Sequence, residues 1–94
     1  MLAAVLKDFN NLVLEEIPVP EPATNEVVIR VKACGICATD YKAIKGIRTN
    51  VTFPFIAGHE ASGIVTSVGS GVSHVEEGDE VICQPSGYCG LCEH

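Results

Sequence analysis

Glycine and proline divide the 94-residue chain into short apolar segments, and this division limits the folds that it can adopt. The segments AAVLK, NLVLEEI, EVVIRVKAC and EASGIVTSVG are rich in Val, Ile and Leu and are bounded by turn residues, a pattern typical of β-strands. Residues 38–45 instead suit a short helix, with Thr39 or Asp40 available as the N-cap and Gly46 as the terminator. Many short strands with one short helix predict a mainly β, barrel-like unit.

The segment EVVIRVKAC alternates between apolar and other residues along its length. Val27, Ile29, Val31 and Ala33 would share one face of a strand, because successive side chains point to opposite sides. The alternation predicts a half-buried strand that leads directly into the cysteine-containing stretch CGIC.

Composition excludes several classes of partner. The net charge of −6 and the absence of a Lys/Arg cluster argue against binding to nucleic-acid phosphates. The apolar runs are far shorter than a membrane span, and the N-terminal segment turns polar too early for a signal peptide. An odd number of cysteines, five, without a secretion signal fits reduced thiols in the cytosol. We therefore expect a cytoplasmic protein that binds neither nucleic acid nor membrane.

The stretch AGHEASG places a histidine and a glutamate side by side after a glycine, at the entrance to a strand. Cys37, His59 and Glu60 offer a thiolate, an imidazole and a carboxylate, which are ligands that zinc accepts. Cys37 could equally be a small buried residue and His59 a hydrogen-bonded core histidine. Adjacent residues on a strand point apart, so His59 and Glu60 can reach one ion only if the backbone at Gly58 is irregular. Otherwise Glu60 would only support a ligand by hydrogen bonding.

Two C-x-x-C pairs are present near the metal-ligand candidates and at the end of the chain. Cys89 and Cys92 can supply half of a four-thiolate structural zinc site, and His94 is a poorly anchored third candidate. Cys34 and Cys37 are too far from the second pair for a zinc ribbon, whose pairs are about 15–20 residues apart, and they lack the βαβ setting of a redox pair. Cys34 is therefore predicted to be a packing residue.

Thr39 and Asp40 follow Cys37 almost directly. Besides capping the helix, Thr39 could place a hydroxyl beside the open position of a metal, and Asp40 could orient the imidazole of His59. The capping and the functional interpretations are compatible.

The motifs VKACGICATD, AGHEASGIVTSVGSGV and GDEV together resemble the N-terminal catalytic domain of zinc-dependent medium-chain alcohol dehydrogenases. The resemblance runs from about Leu2 to His94 and implies a GroES-like, partly open β-barrel. The terminal CGLC is similar to the opening of the family's structural zinc lobe, which would begin at about residue 86. Residues 1–94 are accordingly expected to be an incomplete N-terminal segment that stops before the Rossmann domain.

The resemblance also implies a role for each site residue. Cys37 and His59 would bind the catalytic zinc, with Glu60 as the next ligand or its exchange partner. Thr39 would carry the hydroxyl of the proton relay, and Asp40 would orient His59. The commoner glycine after this cysteine is replaced here by alanine. Cys89 and Cys92 would belong to the structural zinc.

The implied activity is the NAD- or NADP-dependent oxidation of a primary or secondary alcohol, including polyols, by a homo-oligomeric enzyme. The G-x-G-x-x-G fingerprint of a dinucleotide site is absent from these 94 residues, so the segment alone is not expected to be active. The alternative hypothesis is a standalone GroES-like module that binds a metal or a partner without catalysis.

Overall fold

The computed structural model describes residues 1–84 of the chain. Cys89, Cys92 and the proposed lobe boundary near residue 86 lie outside this range. The secondary-structure elements are β1 (Leu2–Asp8), β2 (Asn11–Glu16), β3 (Val27–Gly35), α1 (Ala38–Lys45), β4 (Glu60–Val68) and β5 (Glu80–Ile82). The short β-branched segments of the sequence thus form strands, and the predicted helix has the predicted bounds.

The described strands form two separate antiparallel sheets. One is the β1-β2 hairpin and the other has the order β3-β4-β5. Leu6 in β1 exchanges backbone hydrogen bonds of 2.7 and 3.0 Å with Phe55, so the hairpin is tied to the segment that leads into β4. Neither sheet closes on itself. Over residues 1–84, the structure confirms a mainly β, open architecture with one short helix.

The face assignment predicted for β3 is wrong beyond its first residues. Val31 is 55% exposed and Ala33 is exposed as well, although both were expected on a buried face. The register between β3 and β4 shifts twice, between Val28 and Ile29 and again between Val31 and Ala33. The first shift adds a residue to β4, Thr66, and the second adds Lys32 to β3. An extra residue at Lys32 breaks the two-residue period of β3 and re-aims the side chains from Ala33 onward. Val31 precedes it, so the register does not explain the exposure of that residue.

The helix α1 begins after an N-cap that the sequence did not reveal. The N-cap is Cys37, with extended φ and ψ of −98° and 157°, and not Thr39 or Asp40. Asp40 lies at the third helical position, and its Oδ2 accepts a hydrogen bond from the Cys37 backbone N–H at 3.0 Å. An acidic residue there satisfies an amide at the helix start, as in a capping box. Gly46 ends the helix with φ of 79°, as predicted.

The hairpin, the helix and the larger sheet each contribute buried apolar side chains among residues 1–84. Leu6 is fully buried and Val5 is 4% exposed in β1, while Ala43 in α1 and Val65 in β4 are each 1% exposed. The hairpin turn is also fixed to the helix, because Asn10 donates its backbone N–H to the carbonyl of Ile44, in α1, at 2.7 Å. Backbone hydrogen bonds thus tie the hairpin turn to the C-terminal part of α1, and β1 to the segment before β4.

The described helix is too short and insufficiently apolar to cross a membrane.

Candidate metal centre

Strand pairing brings the two separated motifs of the sequence together. Gly35 ends β3 opposite Glu60, the first residue of β4, and Cys34 lies opposite Ala61. The chain then turns directly from β3 into the N-cap of α1, at Cys37. The antiparallel register thus places the end of one motif beside the beginning of the other. Functional groups are often held in this way, at the ends of elements of a rigid scaffold.

Cys37, His59 and Glu60 converge on one point. Their ligand atoms all lie within 4.8 Å of one another, with Cys37 and His59 partly buried and Glu60 exposed. Zinc binds thiolate sulfur at about 2.3 Å and imidazole nitrogen at about 2.0–2.1 Å, so small side-chain rotations would bring these atoms onto one ion. One sulfur, one nitrogen and one oxygen donor form a set that suits zinc, and three protein ligands leave a fourth position open. The residues therefore fit the ion that the sequence motifs imply.

The backbone at Gly58 explains how consecutive residues reach the same point. Gly58 has φ of +108°, a conformation that L-residues rarely adopt, and it precedes His59 directly. The irregular backbone that the sequence analysis required for His59 and Glu60 is therefore present. A Cβ at Gly58 would also lie only 3.0 Å from the sulfur of Cys34. Cys34 thus packs its sulfur against Gly58, although the residue is exposed overall.

Gly35 makes room for the third donor. A Cβ at this position would collide with Oε2 of Glu60 and would lie 3.2 Å from its Cβ. A side chain at position 35 would require the Glu60 carboxylate to move from its present place beside Cys37 and His59. The sequence analysis missed this role, although the glycine inside CGIC was its visible signal.

Asp40 connects the two segments that carry the metal-ligand candidates. Only 9% exposed, it is the one buried charged residue found among residues 1–84. Its Oδ2 accepts from the N–H of Cys37 at 3.0 Å, and its Oδ1 accepts from the N–H of Gly58 at 3.2 Å. Oδ1 also lies 3.6 Å from Nδ1 of His59, which is close but too long for a hydrogen bond. In this structure Asp40 holds the backbone on both sides of the centre.

An open cleft of about 430 Å³ adjoins the centre. It is lined by Thr39, Asp40, Ala43, Arg48, Phe55, Ile56, Gly58 and His59. Thr39 and His59 therefore face the same space, while Cys37 and Glu60 are not among its lining residues. The sequence analysis identified Thr39 but not Arg48, which no motif marks.

An open β-unit with a thiolate, an imidazole and a carboxylate at its strand ends has the features of a metal-binding catalytic domain. Residues 23–94 match the family model described as the alcohol dehydrogenase GroES-like domain, and the chain belongs to that family.

Individual relatives agree with this assignment. An alcohol dehydrogenase from Moraxella sp. (strain TAE123) is 43% identical over 97 residues, covering 100% of this chain and 29% of the relative. A sorbitol dehydrogenase from Bacillus subtilis (strain 168) is 40% identical, covering 99% of this chain and 27% of the relative. This chain also matches a solved structure of a thermostable alcohol dehydrogenase from Pyrobaculum aerophilum with cobalt and zinc bound. The TM-score is 0.91 at 38% identity, and the match covers 99% of this chain and 29% of the chain of that enzyme. The chain thus spans less than a third of the length of the relatives it matches.

Proposed function

We propose that residues 1–94 form the N-terminal part of the catalytic domain of a zinc-dependent alcohol dehydrogenase that uses NAD or NADP. The observation that carries the proposal is the convergence of Cys37, His59 and Glu60 within 4.8 Å, in a chain of this family. The similarity to an alcohol dehydrogenase and to a sorbitol dehydrogenase supports a primary or secondary alcohol, polyols included, as the substrate class.

Cys37 and His59 would hold the catalytic zinc, with Glu60 as the third ligand or its exchange partner. When bound, zinc acts as a Lewis acid that favours loss of the proton from the substrate hydroxyl, which prepares the substrate for hydride transfer to a nicotinamide. Because Nδ1 of His59 faces Asp40, Nε2 is the ring nitrogen left for the metal.

Two further residues would act around the substrate. Asp40 would keep Cys37 and His59 in position, because it accepts hydrogen bonds from the backbone of Cys37 and of Gly58. Thr39 lines the cleft beside His59, and its Oγ1 would accept the proton of the substrate hydroxyl as its own hydroxyl proton passes to a water on the exposed side. The exposure of Thr39 allows that transfer.

The nicotinamide site would be supplied by sequence outside these residues, since they contain no dinucleotide-binding fingerprint. Cys89 and Cys92 would supply two thiolates to a separate structural zinc in a lobe beginning at about residue 86. We further propose that the complete enzyme is a cytoplasmic homo-oligomer.

The test is Cys37→Ala in the full-length protein, with Cys34→Ala as the matched control from the same C-x-x-C. We expect Cys37→Ala to lose one equivalent of zinc and to lower kcat/KM for alcohols by about 10³-fold or more, because Lewis-acid assistance contributes several kcal/mol to such reactions. Cys34→Ala should retain its zinc and most of its activity. Near-normal zinc content and turnover in Cys37→Ala would refute the role of Cys37 as a zinc ligand. A wild-type full-length protein that binds zinc but oxidises no alcohol would instead favour a module without catalysis.

A further inference from the structure

Arg48 lies in the loop after α1 and lines the same cleft as Thr39 and His59. Its backbone N–H donates to the carbonyl of Lys42 at 3.0 Å, which ties the residue to the end of the helix. Its Nε donates to Oδ1 of Asn50 at 2.9 Å, so the guanidinium is held from one side. The backbone of Arg48 is thus fixed and its guanidinium is partly fixed, as expected for a side chain that is preorganised to bind a ligand.

The terminal nitrogens of Arg48 are not used within the described part of the chain. The ion pairs found among residues 1–84 involve Lys7, His59 and the N-terminal amine, and none of them involves Arg48. A guanidinium presents several N–H donors in a planar fork that matches carboxylate and phosphate oxygens. With Nε occupied by Asn50, the donors on both Nη atoms remain available to an anion in the cleft.

The guanidinium of Arg48 lies among acidic side chains around the cleft. Arg48 is the one cationic residue among those that line the cleft, while Asp40 lines it as well. The adjoining donor set adds the thiolate of Cys37 and the carboxylate of Glu60, in a chain whose net charge is −6. With zinc bound, the Cys37 thiolate and the carboxylates of Asp40 and Glu60 would carry one negative charge more than the ion neutralises, and Arg48 is the group beside the cleft that would offset it for an anionic substrate. A neutral alcohol would need no such cation.

We propose that Arg48 is a specificity-determining residue that binds an anionic group on the substrate, and that the preferred substrates are short-chain alcohols carrying a carboxylate or a phosphate. The inference rests on the dehydrogenase function proposed above and narrows its substrate class. Arg48 and His59 line the same open cleft of about 430 Å³, and a sphere of that volume is roughly 9 Å across, so one short substrate could reach both residues.

The test compares matched neutral and anionic alcohols with the full-length, zinc-loaded protein. One pair is 2-butanol and 3-hydroxybutyrate, and the other is glycerol and glycerol 1-phosphate. The value of kcat/KM is measured for each compound with the wild type, Arg48→Gln, Arg48→Lys and the control Arg30→Gln, which changes an exposed arginine in β3 outside the cleft. Calorimetry separately gives the dissociation constants of the two anionic compounds.

We expect Arg48→Gln to lower kcat/KM and binding affinity for an anionic compound by about 10- to 100-fold, as the loss of a charge-assisted hydrogen-bonded contact does. The neutral partner should change by less than about twofold, Arg48→Lys should be intermediate, and Arg30→Gln should match the wild type. A response confined to the carboxylate pair assigns hydroxy acids as substrates, and one confined to the phosphate pair assigns phosphorylated polyols.

Equal losses for the neutral and anionic members of a pair would overturn the inference, as would a wild type that neither binds nor prefers the anionic compounds. Turnover of neutral alcohols without any preference for anions refutes the role of Arg48 and leaves the dehydrogenase function intact. Anion binding that depends on Arg48, without oxidation of any alcohol, refutes the dehydrogenase function and leaves the anion site.

Discussion

Replacing Asp40 by asparagine tests whether this side chain holds the two halves of the centre together. The carboxylate uses both of its oxygens, one for the N–H of Cys37 and one for the N–H of Gly58. Asparagine has a single acceptor oxygen, so its NH₂ group would face one of these two N–H donors. A hydrogen bond to a charged group contributes about 1.5–3 kcal/mol. We therefore expect Asp40→Asn to lower the free energy of unfolding by about 2 kcal/mol.

The assay combines urea unfolding, followed by circular dichroism, with amide hydrogen exchange measured by NMR. A loss of about 2 kcal/mol corresponds to roughly 30-fold faster exchange, and we expect it at the amide of Cys37 or of Gly58. Asp8→Asn is the matched control, because Asp8 is exposed and uses one oxygen, which accepts from the N–H of Phe9 at 2.7 Å. Asparagine can supply that oxygen, so the control should cost less than about 0.5 kcal/mol. Unchanged exchange at both amides in Asp40→Asn would refute the reasoning.

Gly58 and Gly35 at the centre, with Gly78 before β5 as a control, give two further predictions. Gly58→Ala should lower the free energy of unfolding by more than Gly78→Ala does. Both glycines have positive φ, which costs an L-residue about 1–2 kcal/mol. A Cβ at Gly58 would in addition lie 3.0 Å from Sγ of Cys34, whereas a Cβ at Gly78 would have nothing within 4 Å. Equal losses by urea unfolding would contradict this, and adding Cys34→Ala should recover part of the difference. Gly35→Ala should weaken zinc binding about tenfold in a chelator competition, because the new Cβ displaces the Glu60 carboxylate, and Glu60→Gln should weaken it to a similar extent. If neither change alters the affinity, Glu60 does not support the metal.

Local patterns in the sequence predicted the helix and the strands well, because their signals are local. Residues 38–45 lack glycine and proline and are followed by Gly46, whose positive φ ends the helix. The Val- and Ile-rich segments formed strands, and their β-branched composition is a local signal of the same kind. The burial of β3 was not predictable in this way, since the extra residue at Lys32 depends on how β3 pairs with β4 and leaves no mark in the alternation.

The candidate site was only partly predictable. Cys37, His59 and Glu60 were identified by ligand chemistry, and the irregular backbone at Gly58 was deduced from the need to bring two neighbours to one ion. The hydrogen bond between Asp40 and Gly58 was not foreseen, because it depends on where α1 lies relative to the segment before β4. Arg48 was missed for the same reason, since only the fold brings it to the cleft.

An anomalous difference map at the zinc absorption edge, from crystals of the full-length protein, tests the central claim most directly. The account predicts a peak about 2.3 Å from Sγ of Cys37 and about 2.0–2.1 Å from Nε2 of His59, next to the cleft that Thr39 lines. A map from zinc-saturated crystals with no peak between Cys37 and His59 would contradict the account, even if zinc were found elsewhere in the protein.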